Sequence, residues 1–136
     1  MHNGQVIEVE PGRFAFQYDQ ACYTESVQAD ILRMKDQGFR LDILKNSWST
    51  DQYKGLNSQW TDPEGNQRFE LQFHTRISFE AKRITHGSYE RLRTLQADPF
   101  EQMVLEAFQR KVADAVPIPP GATDIPDYPE RPQNAR

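Results

Sequence analysis

The chain has 136 residues, 37% of them hydrophobic and 26% charged, and carries a formal net charge of −4. That length supports one core rather than two, and the acidic balance argues against bulk nucleic-acid binding while allowing a local basic groove. No apolar run approaches the roughly 20 residues of a membrane span. The residues before Glu10 lack the basic start and apolar stretch of a secretion signal. A single cysteine, Cys22, excludes an internal disulfide and a cysteine-rich zinc site, and fits a reducing, cytoplasmic setting.

Residues 13–18 read Arg-Phe-Ala-Phe-Gln-Tyr, an alternation of polar and aromatic side chains that predicts a half-buried strand. Tyr23, Val27, Ile31 and Met34 recur at helical spacing and Gly38 follows as a stop, so 20–37 is predicted to be a helix. Residues 39–45 alternate again and predict a strand. Residues 53–60 and 68–74 flank Asp62-Pro63-Glu64-Gly65-Asn66, a spacer dense in turn formers, and together predict a β-hairpin. Ile77, Ala81, Ile84, Ser88, Leu92 and Leu95 mark a second helix, with Thr75 as its N-cap. Asp98-Pro99 followed by Glu101 opens a third, whose apolar stripe is Met103, Val104, Ala107, Phe108, Val112 and Ala115. Six of the nine prolines fall in the last 21 residues, so 116–136 reads as an extended tail, either lying on the domain or disordered. The expectation is an α+β domain over 1–115, a small and mostly antiparallel sheet with helices packed on one face, followed by the proline-rich tail over 116–136.

The hairpin is the informative segment. Phe69, Leu71 and Phe73 point to one face of their strand, and Glu70, Gln72 and His74 to the other. On the partner strand Leu56, Ser58 and Trp60 share a face, which leaves Asn57 and Gln59 beside the polar set; Arg13 joins it from the first strand. A polar sheet face open to water is ordinary in antiparallel folds. This one, however, is built from Glu, Gln, His and Asn, groups that bind ligands by direction rather than by bulk charge. Zinc has no sequence support, since His74 and His86 lack a third clustered ligand. A nucleophile elbow is also missing. Trp48 and Trp60 read as core residues.

Tyr53-Lys54-Gly55-Leu56-Asn57, a turn, and then Phe69-Glu70-Leu71-Gln72-Phe73-His74-Thr75 resemble the RelA/SpoT-like nucleotide pyrophosphokinase domain, in particular its divergent, toxin-like branch. That family pairs a Tyr-containing strand with a Glu-x-Gln-x-x-Thr strand followed by a helix, represented here by Ala81-Lys82 and Thr85-His86. The match covers about residues 10–93. The resemblance implies transfer of pyrophosphate from ATP to the 3′-hydroxyl of a GDP-, GTP- or ADP-like nucleotide or of an RNA end, with Mg²⁺ as cofactor. It implies Glu70 as catalytic base and metal partner, with Gln72 beside it. Glu10 stands where the family places a magnesium-binding aspartate, followed by Arg13. Tyr53 matches the residue that stacks on the acceptor base, Lys45 and Lys54 would neutralise phosphates, and Asn57, His74 and His86 complete the substrate-binding set. The family's donor segment, with its Arg-x-Lys, should precede Glu10, where nine residues stand, so the expectation is a truncated or divergent member. A degenerate module that binds a nucleotide or a protein partner without transfer is the alternative.

Overall fold

A computed structural model describes residues 5–50, 53–94 and 97–130. Five strands form one sheet: β1 (Gln5–Glu10), β2 (Arg13–Tyr18), β3 (Arg40–Asn46), β4 (Leu56–Thr61) and β5 (Arg68–Thr75). Their order is β1-β2-β5-β4-β3. Every neighbouring pair is antiparallel except β2 and β5, which run parallel. Three helices accompany the sheet: α1 (Tyr23–Asp36), α2 (Arg76–Arg93) and α3 (Pro99–Asp114). The expected α+β class with a mostly antiparallel sheet is the one found.

Strand β1 was not anticipated. It is joined to β2 by a tight turn at Pro11-Gly12, where Gly12 has φ 78°, a conformation costly for any residue with a Cβ. The predicted helix over 20–37 begins as a 3-10 turn over Gln20–Cys22 and becomes α-helical at Tyr23. Tyr53 lies ahead of β4 rather than in it. The second helix is capped as expected: the Thr75 hydroxyl accepts from the Ser78 amide at 3.0 Å, and the Ser78 hydroxyl accepts from the Thr75 amide at 2.9 Å. Leu95, assigned to that helix from its spacing, lies outside the described residues. The Asp98 carboxylate caps α3 by accepting from the Glu101 amide at 2.8 Å. Glu101 itself reaches back to Arg91 of α2, so it joins two helices instead of closing a capping box.

The core lies on one face of the sheet. Tyr23, Val27 and Ile31 of α1 cover Leu41, Leu44, Leu56, Trp60, Leu71 and Phe73, with Phe14, Phe16 and Phe69 packed beside them. The expectation of helices on one face describes α1. α2 and α3 stand over the opposite, polar face, because His74 on that face meets Ser78 and Phe79 at the start of α2. The α3 stripe also differs from its pattern. Met103, Val104 and Phe108 are exposed, as is Phe100, whereas Gln109 and Ala113 are buried.

Residues 116–130 of the proline-rich segment lie on the domain; Pro132 and the last residues are outside the described part. Val116, Pro119, Ala122 and Ile125 are buried. Leu44 and Tyr128 exchange backbone hydrogen bonds at 2.7 and 2.8 Å, and the Asn46 amide donates to the carbonyls of Ala122 and Ile125 at 2.8 Å each. The segment therefore supplies partners to the outer edge of β3, which blunts an edge otherwise open to pairing.

Trp48 and Trp60 are fully buried, as expected of core residues. The Trp48 indole donates to the Tyr23 hydroxyl at 3.0 Å, and that hydroxyl donates to the Phe73 carbonyl at 2.6 Å. Tyr23→Phe is expected to leave the buried indole N–H without a partner and to remove the hydroxyl's bond to the Phe73 carbonyl, lowering stability by about 1–3 kcal/mol in chemical denaturation. A loss below about 0.5 kcal/mol would show that this link does not bear on stability.

Candidate functional site

The central strand β5 presents Glu70, Gln72 and His74 on successive steps of its polar face, as period-2 alternation requires. Register aligns them with their neighbours. Arg13 of β2 stands opposite Glu70, and a row runs from Ala15 through Gln72 and Asn57 to Lys45. Sheet pairing alone thus assembles most of the polar residues singled out from the hairpin.

Hydrogen bonds tie the three β5 side chains into a file. The ring of His74 is 0% exposed. Its Nδ1 is 2.8 Å from the Ser78 hydroxyl, and its Nε2 is 3.1 Å from both the Gln72 side-chain oxygen and the Tyr53 hydroxyl. The Gln72 amide nitrogen donates to Glu70 Oε2 at 2.9 Å. The amide orientation of Gln72 makes His74 Nε2 the donor and Nδ1 the acceptor, from Ser78. Glu70 Oε1 is 3.3 Å from Arg13 Nε, and Arg13 Nη1 is 3.2 Å from Glu10. The Glu70 side chain is 18% exposed and held from both oxygens.

Burial pushes the His74 imidazole down to about 3, with the charge of Lys82 a second cause. Burial likewise raises the Tyr53 phenol, helped by the negative charge of Glu70. Gly55 makes this arrangement possible. It has φ 146°, and a Cβ there would lie 2.8 Å from His74 Cε1 and 2.9 Å from Nδ1. The glycine of the Tyr-Lys-Gly motif is therefore the place where the loop crosses the face of a buried ring.

Above this floor is a cavity of about 720 Å³. The sheet contributes Arg13, Lys45, Asn57, Glu70 and Gln72; the loop before β4 contributes Ser47, Thr50 and Tyr53. One face of α2 contributes Lys82, Thr85, His86, Tyr89, Glu90 and Arg93, and α3 contributes Gln109. Glu90 is paired with Arg93 at 2.6 Å. Lys45 and Lys82 have no carboxylate partner among the described residues.

Seven of the residues named from sequence meet at this cavity: Arg13, Lys45, Tyr53, Asn57, Glu70, Gln72 and His86. Three do not line it. His74 lies beneath the floor and positions Gln72 and Tyr53 instead of facing a ligand. The Lys54 ammonium donates to the carbonyls of Trp48 and Thr50, so it braces the loop. Glu10 sits at the β1–β2 turn with its side chain 56% exposed. The metal pair expected of Glu10 and Glu70 does not fit this arrangement, because the Arg13 guanidinium lies between the two carboxylates. No group of three or more His, Cys, Asp or Glu is placed to hold a metal among the described residues. The residues missed from sequence, Tyr89, Glu90 and Arg93 among them, had one visible signal: with Lys82, Thr85 and His86 they form a polar stripe along α2.

Two outcomes are expected. Gly55→Ala combines backbone strain with a clash against a buried ring, and should destabilise the fold by about 2 kcal/mol or more in thermal or chemical melts; a neutral substitution would rule out the close approach. The second concerns pH. Unfolded His74 takes up a proton below pH 6.5, whereas the folded residue stays neutral down to about 3. Its contribution is therefore complete above pH 6.5 and declines as pH falls towards 3, by up to about 1.4 kcal/mol per pH unit. His74→Gln should flatten the stability–pH curve across that window; unchanged slopes would show that the ring is not buried neutral.

No protein-family profile matches the chain, and no curated protein matches it. Among solved structures, a GTP pyrophosphokinase family protein from Streptococcus pneumoniae is similar, with a TM-score of 0.50 and 15% sequence identity. The match covers 75% of this chain and 53% of that one, so the chain spans about half the length of its neighbour. No described helix is long and apolar enough to cross a membrane. At this identity the likeness speaks for the fold alone, an α+β fold like that of this neighbour.

Proposed function

We propose that the chain binds a nucleotide in the cavity over β5 and transfers pyrophosphate from ATP to a 3′-hydroxyl, that of a GDP-, GTP- or ADP-like nucleotide or of an RNA end. The observation that carries this reading is Glu70. It is a largely buried carboxylate on the cavity floor, held in one orientation by Gln72 and Arg13, with Gln72 held in turn by His74. Pre-orientation of this kind is what a general base needs.

In this proposal the acceptor hydroxyl gives its proton to Glu70 as its oxygen forms a bond to the β-phosphorus of ATP. The bond between the α–β bridging oxygen and that phosphorus breaks, and AMP leaves. Lys45 and Lys82, the cavity lysines without carboxylate partners among the described residues, face the polyphosphate charge, and Arg13 is released towards it when a ligand displaces its contact with Glu70. The Tyr53 ring, fixed through its hydroxyl to His74, offers an aromatic wall for a base. Mg²⁺ belongs to the proposal as the counter-ion of the polyphosphate, supplying charge neutralisation. No step is assigned to it.

A second reading, nucleotide or protein binding without transfer, has one observation in its favour: Arg13 lies between Glu10 and Glu70 and occupies an oxygen of the base. Glu70→Gln separates the two. If the chain is a transferase, the variant should lose about 100-fold or more of the transfer rate with nucleotide affinity little changed in calorimetry. Turnover retained by Glu70→Gln would remove Glu70 from the chemistry. Nucleotide binding by the native protein with no transfer in the presence of Mg²⁺ would select the binding reading.

A further inference from the structure

We infer that Asp127 and Asn46 are positioning residues for the cavity: through them the segment over 116–130 holds the end of β3 and the loop after it, which carry Lys45, Ser47 and Thr50. The part that concerns a ligand rests on the nucleotide reading above. Asn46 closes β3 between two residues that line the cavity, Lys45 and Ser47. Its own side chain turns to the segment. The amide nitrogen donates to the Ala122 and Ile125 carbonyls at 2.8 Å each, and the amide oxygen accepts from the Trp48 N–H at 2.9 Å. The Asn46 backbone N–H donates to Asp127 Oδ1 at 2.9 Å. A carboxylate acceptor makes this the stronger kind of hydrogen bond.

The grip falls where regular pairing stops. Asn46 stands opposite Leu56, the first residue of β4. Beyond it Ser47, Thr50 and Tyr53 reach the cavity from the loop. Much of the loop's bonding is internal: Ser47 N–H to the Gly55 carbonyl at 3.0 Å, Thr50 N–H to the Ser47 carbonyl at 3.1 Å, and the Lys54 ammonium to the Trp48 carbonyl at 3.1 Å. Such bonds shape a loop without fixing it to the sheet. At its far end Tyr53 is tied to the cavity floor through His74. At its near end the tie is Asn46, and the segment sets the orientation of that amide. Surface loops open at low free energy, so an acceptor that fixes the root of this one decides how often Lys45, Ser47 and Thr50 stand in place together. The segment has a separate hold on α1, where the Thr24 hydroxyl donates to the Pro120 carbonyl at 2.7 Å. That bond touches neither Asn46 nor the loop.

Two readouts on the full chain test this: amide hydrogen exchange by NMR, and calorimetric titration with inorganic tripolyphosphate and ADP. Asp127→Ala should speed exchange of the Ser47 and Trp48 amides about tenfold or more and weaken tripolyphosphate binding by a similar factor. Asp127→Asn keeps an acceptor oxygen and should restore both. Thr24→Val loosens the segment from α1 and should change neither. If a thermal melt shows that the alanine variant does not fold, Asp127→Glu takes its place, since it displaces the acceptor by one methylene. Unchanged exchange in folded Asp127→Ala overturns the inference, as does a rise of equal size in Thr24→Val, which would mark a general loosening. Faster exchange with tripolyphosphate affinity unchanged overturns the positioning role. Absence of binding of both tripolyphosphate and ADP by the native protein overturns the nucleotide reading instead; exchange then upholds or overturns the hold on the loop by itself.

Discussion

A neutral histidine buried between a strand, a loop and a helix sets the geometry of the cavity floor. The His74 ring accepts from Ser78 on one side and donates towards Gln72 and Tyr53 on the other. Its neighbours cannot shift independently. Ser78 also closes the capping box of α2, so the hydroxyl that fixes the ring also starts the helix that walls the cavity. Gly55 allows the loop to cross the ring at a distance no other residue tolerates. Loop, strand and helix are thereby referenced to a single side chain, and Glu70 receives its orientation through it.

The polar file is expensive to bury unless every member is satisfied. Along β5 the requirement is met by alternation: His74 donates to Gln72 and Gln72 to Glu70 on the same face, and the other Glu70 oxygen faces the Arg13 guanidinium. The opposite face of the same strand carries Leu71 and Phe73 into the core. One strand therefore serves two environments, and a one-residue slip in its pairing would exchange them. The in-register rows from β2 through β5 to β4 guard against that slip with large aromatics on the core side, Phe16 against Phe73 among them.

Charge is arranged with the same division. The chain is acidic overall, yet the cavity gathers Arg13, Lys45, Lys82 and Arg93, two of them offset by Glu70 and Glu90. The cavity thus carries a local excess of positive groups within a chain whose net charge is negative. The docked segment over 116–130 contributes at the far edge of the sheet, where it supplies β3 with backbone partners and buries Val116 and Ile125.

Local pattern made much of this legible. Alternation in 13–18 and 68–74, the turn-rich spacer between the hairpin strands, and the caps at Thr75 and Asp98 are short-range signals, because they depend on the backbone geometry of a few adjacent residues. The polar set on β5 followed from the same alternation, and so did the cavity residues Glu70, Gln72, Asn57 and Arg13. What pattern could not supply was depth and partnership. His74 has the same periodic position as Glu70, yet one lies under the floor and the other on it, a difference made by the approach of Gly55 and Ser78 from distant segments. The binary pattern of α3 would bury Met103 and Phe108 and expose Gln109; packing against α2 reversed it. Lys54 and Glu10 were drawn away by a loop carbonyl and an intervening arginine. The amino-acid sequence alone determined which residues share a face, since that is a property of one strand or one helix. Only the tertiary structure decided which of them line the cavity, because burial and hydrogen-bond partners are set by segments far apart in the chain.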